Sequence, residues 1–398
     1  MGRILKALSP AYGGFTIARD ERVIFIKGAI PGEVVDAEIT EKKRDYSVAR
    51  VISVVEPSED RVEPPCPVFG VCGGCQLQYV SYGRQISMKD EILLDSLARI
   101  GRIETTLGPA LAGNQWHYRY RAQFKVSKTG EIGFFRESSR EVVVFEQCPL
   151  LRKEINGCLR LIREKVDVSR LSDIHIAFGD RPLLLLKGKQ PAHETEPWFS
   201  AGFPAVAYND KIVSVAGHTT FDLNGLQYMV SPWTFFQAHW ELNTRVVEHV
   251  VNLMPLEGKA VLDLYAGAGN FSLPFAGRAA EVTAVEEHPA AVEDGIRNIK
   301  ANAIKNCRFV KSSAEKFRMQ KKYDVIILDP PRPGLTSEVM KKVLQTPPDS
   351  ILYISCNPAT LARDLKKLKD KYELKSVSQL DFFPNTYHIE AVALLQLR

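Results

Sequence analysis

The run VLDLYAGAGNFSLPFA, residues 261–276, reads as strand, glycine loop and helix. Gly267 and Gly269 let the backbone come close to a ligand seated at the helix N-terminus. The third glycine of a dinucleotide fingerprint is missing, and Asn270 and Ser272 follow the second glycine instead. Asp263 lies within the strand. Glu286 ends the next one, EVTAVE, at the distance where an acid receives ribose hydroxyls. The loop therefore favours an adenosyl ligand without a pyrophosphate, S-adenosylmethionine, over NAD. The plainer reading of the two acids is that of ordinary strand-end carboxylates.

Outward from the loop the same texture continues. A helix, WELNTRVVEHVVNLM, precedes it, and CRFVKS, YDVIILD and SILYISC follow as further buried strands. LKSVSQLDFF and HIEAVALLQL close the chain as a β-pair. Strands alternating with helices predict a doubly wound, Rossmann-like sheet from about residue 231. The chain has 398 residues, more than one hydrophobic core usually holds, so a multi-domain α/β protein is expected. Residues 1–58 alternate apolar and polar positions around the Pro31-Gly32 turn, as in a small oligonucleotide-binding-type barrel or a plain β-module. A proline-rich linker, PSEDRVEPPCP, leads into a central α+β region, with an amphipathic helix over YGRQISMKDEILLDSLARIG closed by Gly101.

The stretch DVIILDPPRPGL puts Asp329 at the carboxyl edge of the sheet, where ligands of this fold bind. Arg332 stands where methyltransferases of exocyclic amines often carry an aromatic, which weakens that chemistry. Cys356 ends the following strand on the same edge. Alone it reads as a packed thiol. Beside a methyl donor it suits methylation of pyrimidine carbon 5. A thiolate adding to carbon 6 makes carbon 5 nucleophilic, and a base must later remove its proton. In TYHIE, His388 and Glu390 alternate on a predicted strand and so face one side. Glu390 is the better base, because burial raises a carboxylate pKa.

Seven cysteines occur, an odd number that argues against a disulfide framework. CPVFGVCGGC and FEQCPL bring Cys66, Cys72, Cys75 and Cys148 into a spacing suited to four-thiolate ligation. Spacing alone does not separate zinc from a [4Fe-4S] cluster. Cys158 and Cys307 fit no such group and are expected in packing. The strand region 116–146 interleaves Arg119, Arg121, Lys125 and Lys128 with Tyr118, Tyr120 and Phe124. That suits a nucleic-acid backbone and exposed bases, or else a solvated sheet face. Net charge is only +5, which neither demands nor excludes a nucleic-acid partner. No apolar run approaches a membrane span and no leader pattern is evident, so a cytoplasmic protein without a membrane is expected.

Taken together, WTFFQ (233–237), DLYAGAGNFSL, DPPRPG, SCNPATLARDL and TYHIE resemble the RNA 5-methyluridine methyltransferases. The N-terminal residues resemble a TRAM domain, so the likeness runs over essentially the whole chain. It implies three parts: a TRAM barrel over 1–58, a central RNA-binding domain over 59–230, and a catalytic methyltransferase domain over 231–398. It implies Cys356 as nucleophile and Glu390 as base, with Gln237, Tyr265, Asn270, Glu286 and Asp329 lining the donor site. For Cys66, Cys72, Cys75 and Cys148 it implies a [4Fe-4S] cluster, structural or RNA-docking, since this methylation needs no electron. The implied partner is RNA, 23S rRNA ahead of tRNA, with no obligate protein partner evident. A non-catalytic iron–sulfur RNA-binding protein is the reading from another class; the set Gln237, Cys356 and Glu390 argues against it.

Overall fold

The computed structural model describes residues 2–189, 195–214 and 216–398. The first sheet contains β1 (Arg3–Lys6), β2 (Ser9–Ala11), β3 (Phe15–Arg19), β4 (Val23–Lys27), β5 (Val34–Lys42) and β6 (Tyr46–Glu56). Its order is β1-β5-β6-β4-β3-β2. Leu5, Ala18, Ile24, Ile26, Val35, Ala37 and Ala49 come from five of these strands and meet in one core, so the sheet curls on itself. Beyond it Arg61 grips the buried Glu33 with two hydrogen bonds, of 2.6 and 2.7 Å, which anchors the proline-rich linker.

The cysteine-rich loop follows, then α1 (Tyr82–Ser96). This helix runs on into one wider, π-type turn over Leu97–Gly101. A second, seven-stranded sheet comprises β7 (Arg121–Val126), β8 (Ile132–Phe135), β9 (Val142–Val144), β10 (Leu171–Phe178), β11 (Pro182–Gly188), β12 (Ala205–Tyr208) and β13 (Lys211–Ile212). Between its strands lie α2 (Lys153–Lys165) and α3 (Glu196–Ser200). Ile155, Leu159 and Ile162, at helical spacing, bury one face of α2 against Phe124, Ile174 and Leu184. The aromatics expected to meet bases are inside: Tyr118, Tyr120 and Phe124 are all buried. Phe124 is on the face of β7 that packs under α2, and Tyr118 stacks on His239. Two of the cations interleaved with them are also engaged. Lys125 pairs with Asp173, and Arg121 lies over the rings of Phe235 and Phe236.

The last part opens with a hairpin, β14 (Thr219–Leu223) and β15 (Leu226–Val230), and α4 (Trp240–Val251). Then come β16 (Ala260–Leu264), α5 (Ser272–Ala276), β17 (Glu281–Glu286), α6 (Pro289–Ala301), β18 (Cys307–Lys311) and β19 (Val325–Leu328). The chain ends with α7 (Ser337–Gln345), β20 (Ser350–Ser355), α8 (Pro358–Leu368), β21 (Tyr372–Leu380) and β22 (Glu390–Leu397). The sheet order is β18-β17-β16-β19-β20-β22-β21, parallel except for β22, which runs antiparallel to both neighbours. Two cores cover its two faces. Val246, Val250, Leu273 and Phe275 from α4 and α5 join one. Val339, Val343, Leu361 and Leu365 from α7 and α8, with Leu93 and Leu97, join the other. The hairpin belongs to this unit: Asn298 of α6 and Asn302, just past its end, each accept a 2.8 Å hydrogen bond from its backbone, at Met229 and Gln227. Strand order reverses between β16 and β19, which opens a crevice at the carboxyl edge. Cys158 and Cys307 are buried in hydrophobic cores, as expected of packing residues. Among the described residues no helix is long and apolar enough to cross a membrane.

Candidate active site

The glycine loop after β16 forms one wall of the crevice. Tyr265 holds a left-handed backbone (φ 69°), unusual for an aromatic residue, and its amide donates to Val285 O. Gly267 (φ 56°) has open space where a Cβ would stand, and its amide donates to Glu286 Oε2 at 2.9 Å. Glu286 also accepts from the His288 amide at 2.7 Å, so its carboxylate is fixed at the end of β17. Asn270 and Asn243 exchange two side-chain hydrogen bonds, of 2.7 and 3.1 Å, which tie the loop to α4. Six residues before Asn243, Gln237 is buried, and its Oε1 has no hydrogen-bond partner. A buried acceptor without a partner is costly. The open wall at Gly267, the fixed acid at Glu286 and the unpaired amide of Gln237 suit a polar, ribose-bearing ligand. Asp263 turns inward instead: it accepts from Ser272 Oγ at 2.5 Å, and burial pushes it up to about 7. Its part is to hold the start of α5, the plainer of the two readings of that acid.

The WTFFQ segment is pinned from two sides. Thr234 Oγ1 and the Ser231 amide donate to Asp294 of α6, at 2.6 and 2.7 Å, and Arg121 donates to Phe236 O at 3.2 Å. Phe235 alone in this segment is turned out, 63% exposed under the Arg121 guanidinium. Its presentation depends on a residue from β7, which no local sequence pattern reveals.

Cys356 and Glu390 are 34 positions apart in the chain but meet by register. In the β20–β22 ladder Ile354 opposes Val392 and Ser355 opposes Ala391, so the next step opposes Cys356 to Glu390. Asp329 lies one residue past Leu328, whose neighbours are Leu264 and Tyr353, and its charge acts on both Cys356 and Glu390. Three acidic groups thus share one edge in low dielectric. Burial, then the charges of Glu390 and Asp329, push the Cys356 thiol up to about 11. Burial, then Asp329, push Glu390 up to about 8, and desolvation alone takes Asp329 to about 7. The Arg332 guanidinium opposes the shift at both Cys356 and Glu390. Asn357 Oδ1 caps α8 by accepting from the amides of Ala359 and Thr360, so the thiol also precedes a helix N-terminus, which favours its anion.

Histidine 388 does not share a strand with Glu390, because β22 begins at Glu390 itself. His388 Nδ1 lies 3.1 Å from Arg332 Nη2, and burial with nearby cations drives its pKa down to about 4. It is neutral and engaged with Arg332. Sequence patterns gave no hint of Lys89. This residue of α1 donates to Asp381 Oδ1 (2.5 Å) and Phe383 O (3.1 Å), and supports the loop leading to Glu390 from beneath.

Cys66, Cys72, Cys75 and Cys148 line one cavity of about 840 Å³ beside Arg119 and Tyr387. Burial raises Cys72, Cys75 and Cys148, the latter two to about 12 and 11, and neighbouring thiols add to each. Asn156 clamps the Cys148 backbone at both its amide and its carbonyl. A Cβ at Gly73 would come within 3.2 Å of the Glu137 backbone, so a side chain there would press the tight loop against it. Among the described residues no three His, Cys, Asp or Glu side chains are drawn together closely enough to hold a metal ion. The four thiols are gathered on one cavity but not closed around a point.

Two family models match this chain. A TRAM domain model covers residues 5–52, and a tRNA (uracil-5-)-methyltransferase model covers residues 215–398. An uncharacterized RNA methyltransferase of Aquifex aeolicus is 34% identical over 413 residues, which span 97% of this chain and 96% of the relative. A protein of Alkalilimnicola ehrlichii named 23S rRNA (uracil(1939)-C(5))-methyltransferase RlmD is 34% identical over 95% of this chain and 92% of its own. The chain belongs to the RNA uracil-C5 methyltransferase family. This methyltransferase also shares its fold with the Pyrococcus abyssi tRNA (uracil-54, C5)-methyltransferase, solved with S-adenosyl-L-homocysteine. The TM-score is 0.79 at 24% identity, over 99% of this chain and all of that one. As a member of the family the protein is an S-adenosylmethionine-dependent RNA uracil-C5 methyltransferase.

Proposed function

We propose that this methyltransferase modifies carbon 5 of one uridine in 23S rRNA through a covalent Cys356 adduct, with Glu390 as base. The observation that carries the reading is the β20–β22 register, which ends at Ser355 opposite Ala391 and so brings the next residues, Cys356 and Glu390, to one edge, where the Glu390 charge acts on the thiol. The names of relatives at 33–34% identity, which match this chain over almost its full length, support 23S rRNA as the RNA.

Gln237, Tyr265, Asn270, Glu286 and Asp329 would hold S-adenosylmethionine, which when bound supplies an electrophilic methyl group. The target uridine leaves its stack to reach the edge. The Cys356 thiolate forms a bond to carbon 6, and the electron pair of the 5,6 double bond moves to carbon 5, which takes the methyl group. Glu390 then removes the proton of carbon 5. The released pair restores the double bond as the sulfur–carbon 6 bond breaks and returns the thiolate. Arg332 favours the thiolate and the Glu390 carboxylate.

Cys66, Cys72, Cys75 and Cys148 would hold the [4Fe-4S] cluster. Their confinement to one cavity supports a shared ligand. The division into parts at 1–58, 59–230 and 231–398 belongs to the same reading, except that the hairpin at 219–230 packs on the last part; the first two parts would grip RNA. To test the substrate, the protein is incubated with methyl-labelled donor and unmodified transcripts of 23S rRNA and tRNA, and the labelled nucleotide is mapped. Label on one uridine of 23S rRNA is expected. Label on tRNA alone overturns the choice of RNA, and label on any atom but carbon 5 overturns the chemistry.

A further inference from the structure

The turn between β2 and β3 of the N-terminal sheet, Tyr12-Gly13-Gly14, reaches the catalytic edge. Gly13 (φ 95°) and Gly14 (φ 78°) both hold left-handed backbone, a shape that glycine adopts without strain. Gly14 is wedged: a Cβ there would meet Gln76 Cβ at 3.0 Å and Tyr387 Cβ at 3.6 Å. A side chain there would crowd Gln76 and strain the left-handed backbone. Gln76 in turn donates its amide to Asn385 O, as does Leu77, so the turn sits against the loop that delivers Glu390.

Tyr12 is the outermost member of an aromatic row. Its ring stands edge-on to Tyr387, with centroids 5.5 Å apart. Tyr387 lies 4.4 Å from the His388 ring, which also contacts Phe383 at 5.4 Å and carries Arg332. Tyr12 is 39% exposed, a large ring left partly in water at the mouth of the site. The Tyr12 hydroxyl feels the charges of Arg332, Tyr387 and Cys356, which puts it in the same electrostatic neighbourhood as the thiol.

We infer that Tyr12 completes the substrate site from the N-terminal sheet, its exposed ring stacking on the base next to the uridine that is drawn out. An extruded nucleotide leaves its neighbours unstacked, and an aromatic face at the mouth replaces that lost stacking. The N-terminal sheet is thus part of the active site, beyond any contact it makes with distant RNA. The inference rests on the function proposed above.

The test compares wild type, Y12A and Y12F in steady-state methylation of the unmodified 23S rRNA transcript, with RNA and methyl donor varied separately. Stacking of one base is worth roughly 1–3 kcal/mol, so Y12A should raise KM for RNA about fivefold or more. KM for the methyl donor should stay within about twofold of wild type, and Y12F, which keeps the ring, should bring KM for RNA back to within about threefold. An unchanged KM for RNA in Y12A overturns the inference. So does a Y12F defect as large as that of Y12A, or an equal loss in donor KM, which would mark a structural role. No methylation by wild type overturns the proposed function and this inference with it; turnover by wild type with an indifferent Y12A overturns this inference alone.

Discussion

The Cys356 thiol and the Glu390 carboxyl at this edge are each held in their neutral forms by burial first and by neighbouring carboxylates second, Glu390 and Asp329 for the thiol and Asp329 for Glu390. At pH 7 Cys356 is almost wholly protonated, so alkylation of its peptide by iodoacetamide, followed by mass spectrometry, should accelerate about tenfold per pH unit up to about 11. R332A removes the cation that opposes the shift and should move this profile to higher pH; an unmoved profile would show that Arg332 does not act on the thiol. Glu390 has a second consequence. Its folded-state pKa, about 8, is raised above the unfolded value. The folded chain therefore binds this proton more tightly, and the stability it brings is present below about pH 4.5 and lost as pH rises through 8. E390Q cannot ionise, so thermal unfolding should find it stabler than wild type at pH 9 by roughly a few degrees, with the gap closing towards pH 5. Equal midpoints at both pH values would mean that Glu390 is not strained by its setting.

At the scale of elements, the β20–α8 turn is built to present the thiol. Asn357 caps α8, Ser355 and Asn357 exchange hydrogen bonds across Cys356, and Asp364 ties the helix to Tyr353 of β20 and to the Leu335 amide. N357A should cost about 1 kcal/mol in denaturant unfolding, the usual worth of such a cap; a cost near zero would mean that water serves the helix end equally well. Much of this catalytic sheet was legible beforehand. Val325–Leu328 and Ile351–Ile354 read as buried strands because parallel strands covered on both faces are continuous apolar runs. The glycine loop and the edge positions of Asp329 and Cys356 follow from those strands. The start of β22 was not legible: HIEAVALL alternates from His388, but Arg332 draws that histidine into the preceding loop. The basic and aromatic stretch before β8 misled for a related reason. A period of two predicts that alternate residues share a face, yet not which face a covering helix such as α2 will bury.

Across the whole molecule, the N-terminal sheet, the cysteine-rich loop and α1 converge on one loop, residues 381–389. The N-terminal sheet reaches it through Gly14 and Tyr12, the cysteine-rich loop through Gln76 and Leu77, and α1 through Lys89. None of these contacts has a local sequence signal, since each joins positions at least 292 residues apart, and Tyr12 was missed for that reason. Lys89 and Asp381 form a fully buried ion pair. K89M strands the Asp381 carboxylate and should cost about 3–5 kcal/mol in denaturant unfolding, whereas a loss under about 1 kcal/mol would show that the pair does not hold this junction. All of these contacts serve the opposition of Cys356 and Glu390, and one experiment addresses that directly. Wild type, C356A and E390Q are incubated with unmodified 23S rRNA transcript and methyl donor, then resolved on a denaturing gel for protein–RNA adducts. E390Q should accumulate a donor-dependent adduct that wild type resolves, and C356A should form none. Normal turnover by E390Q without an adduct, or an adduct persisting in C356A, would contradict the account.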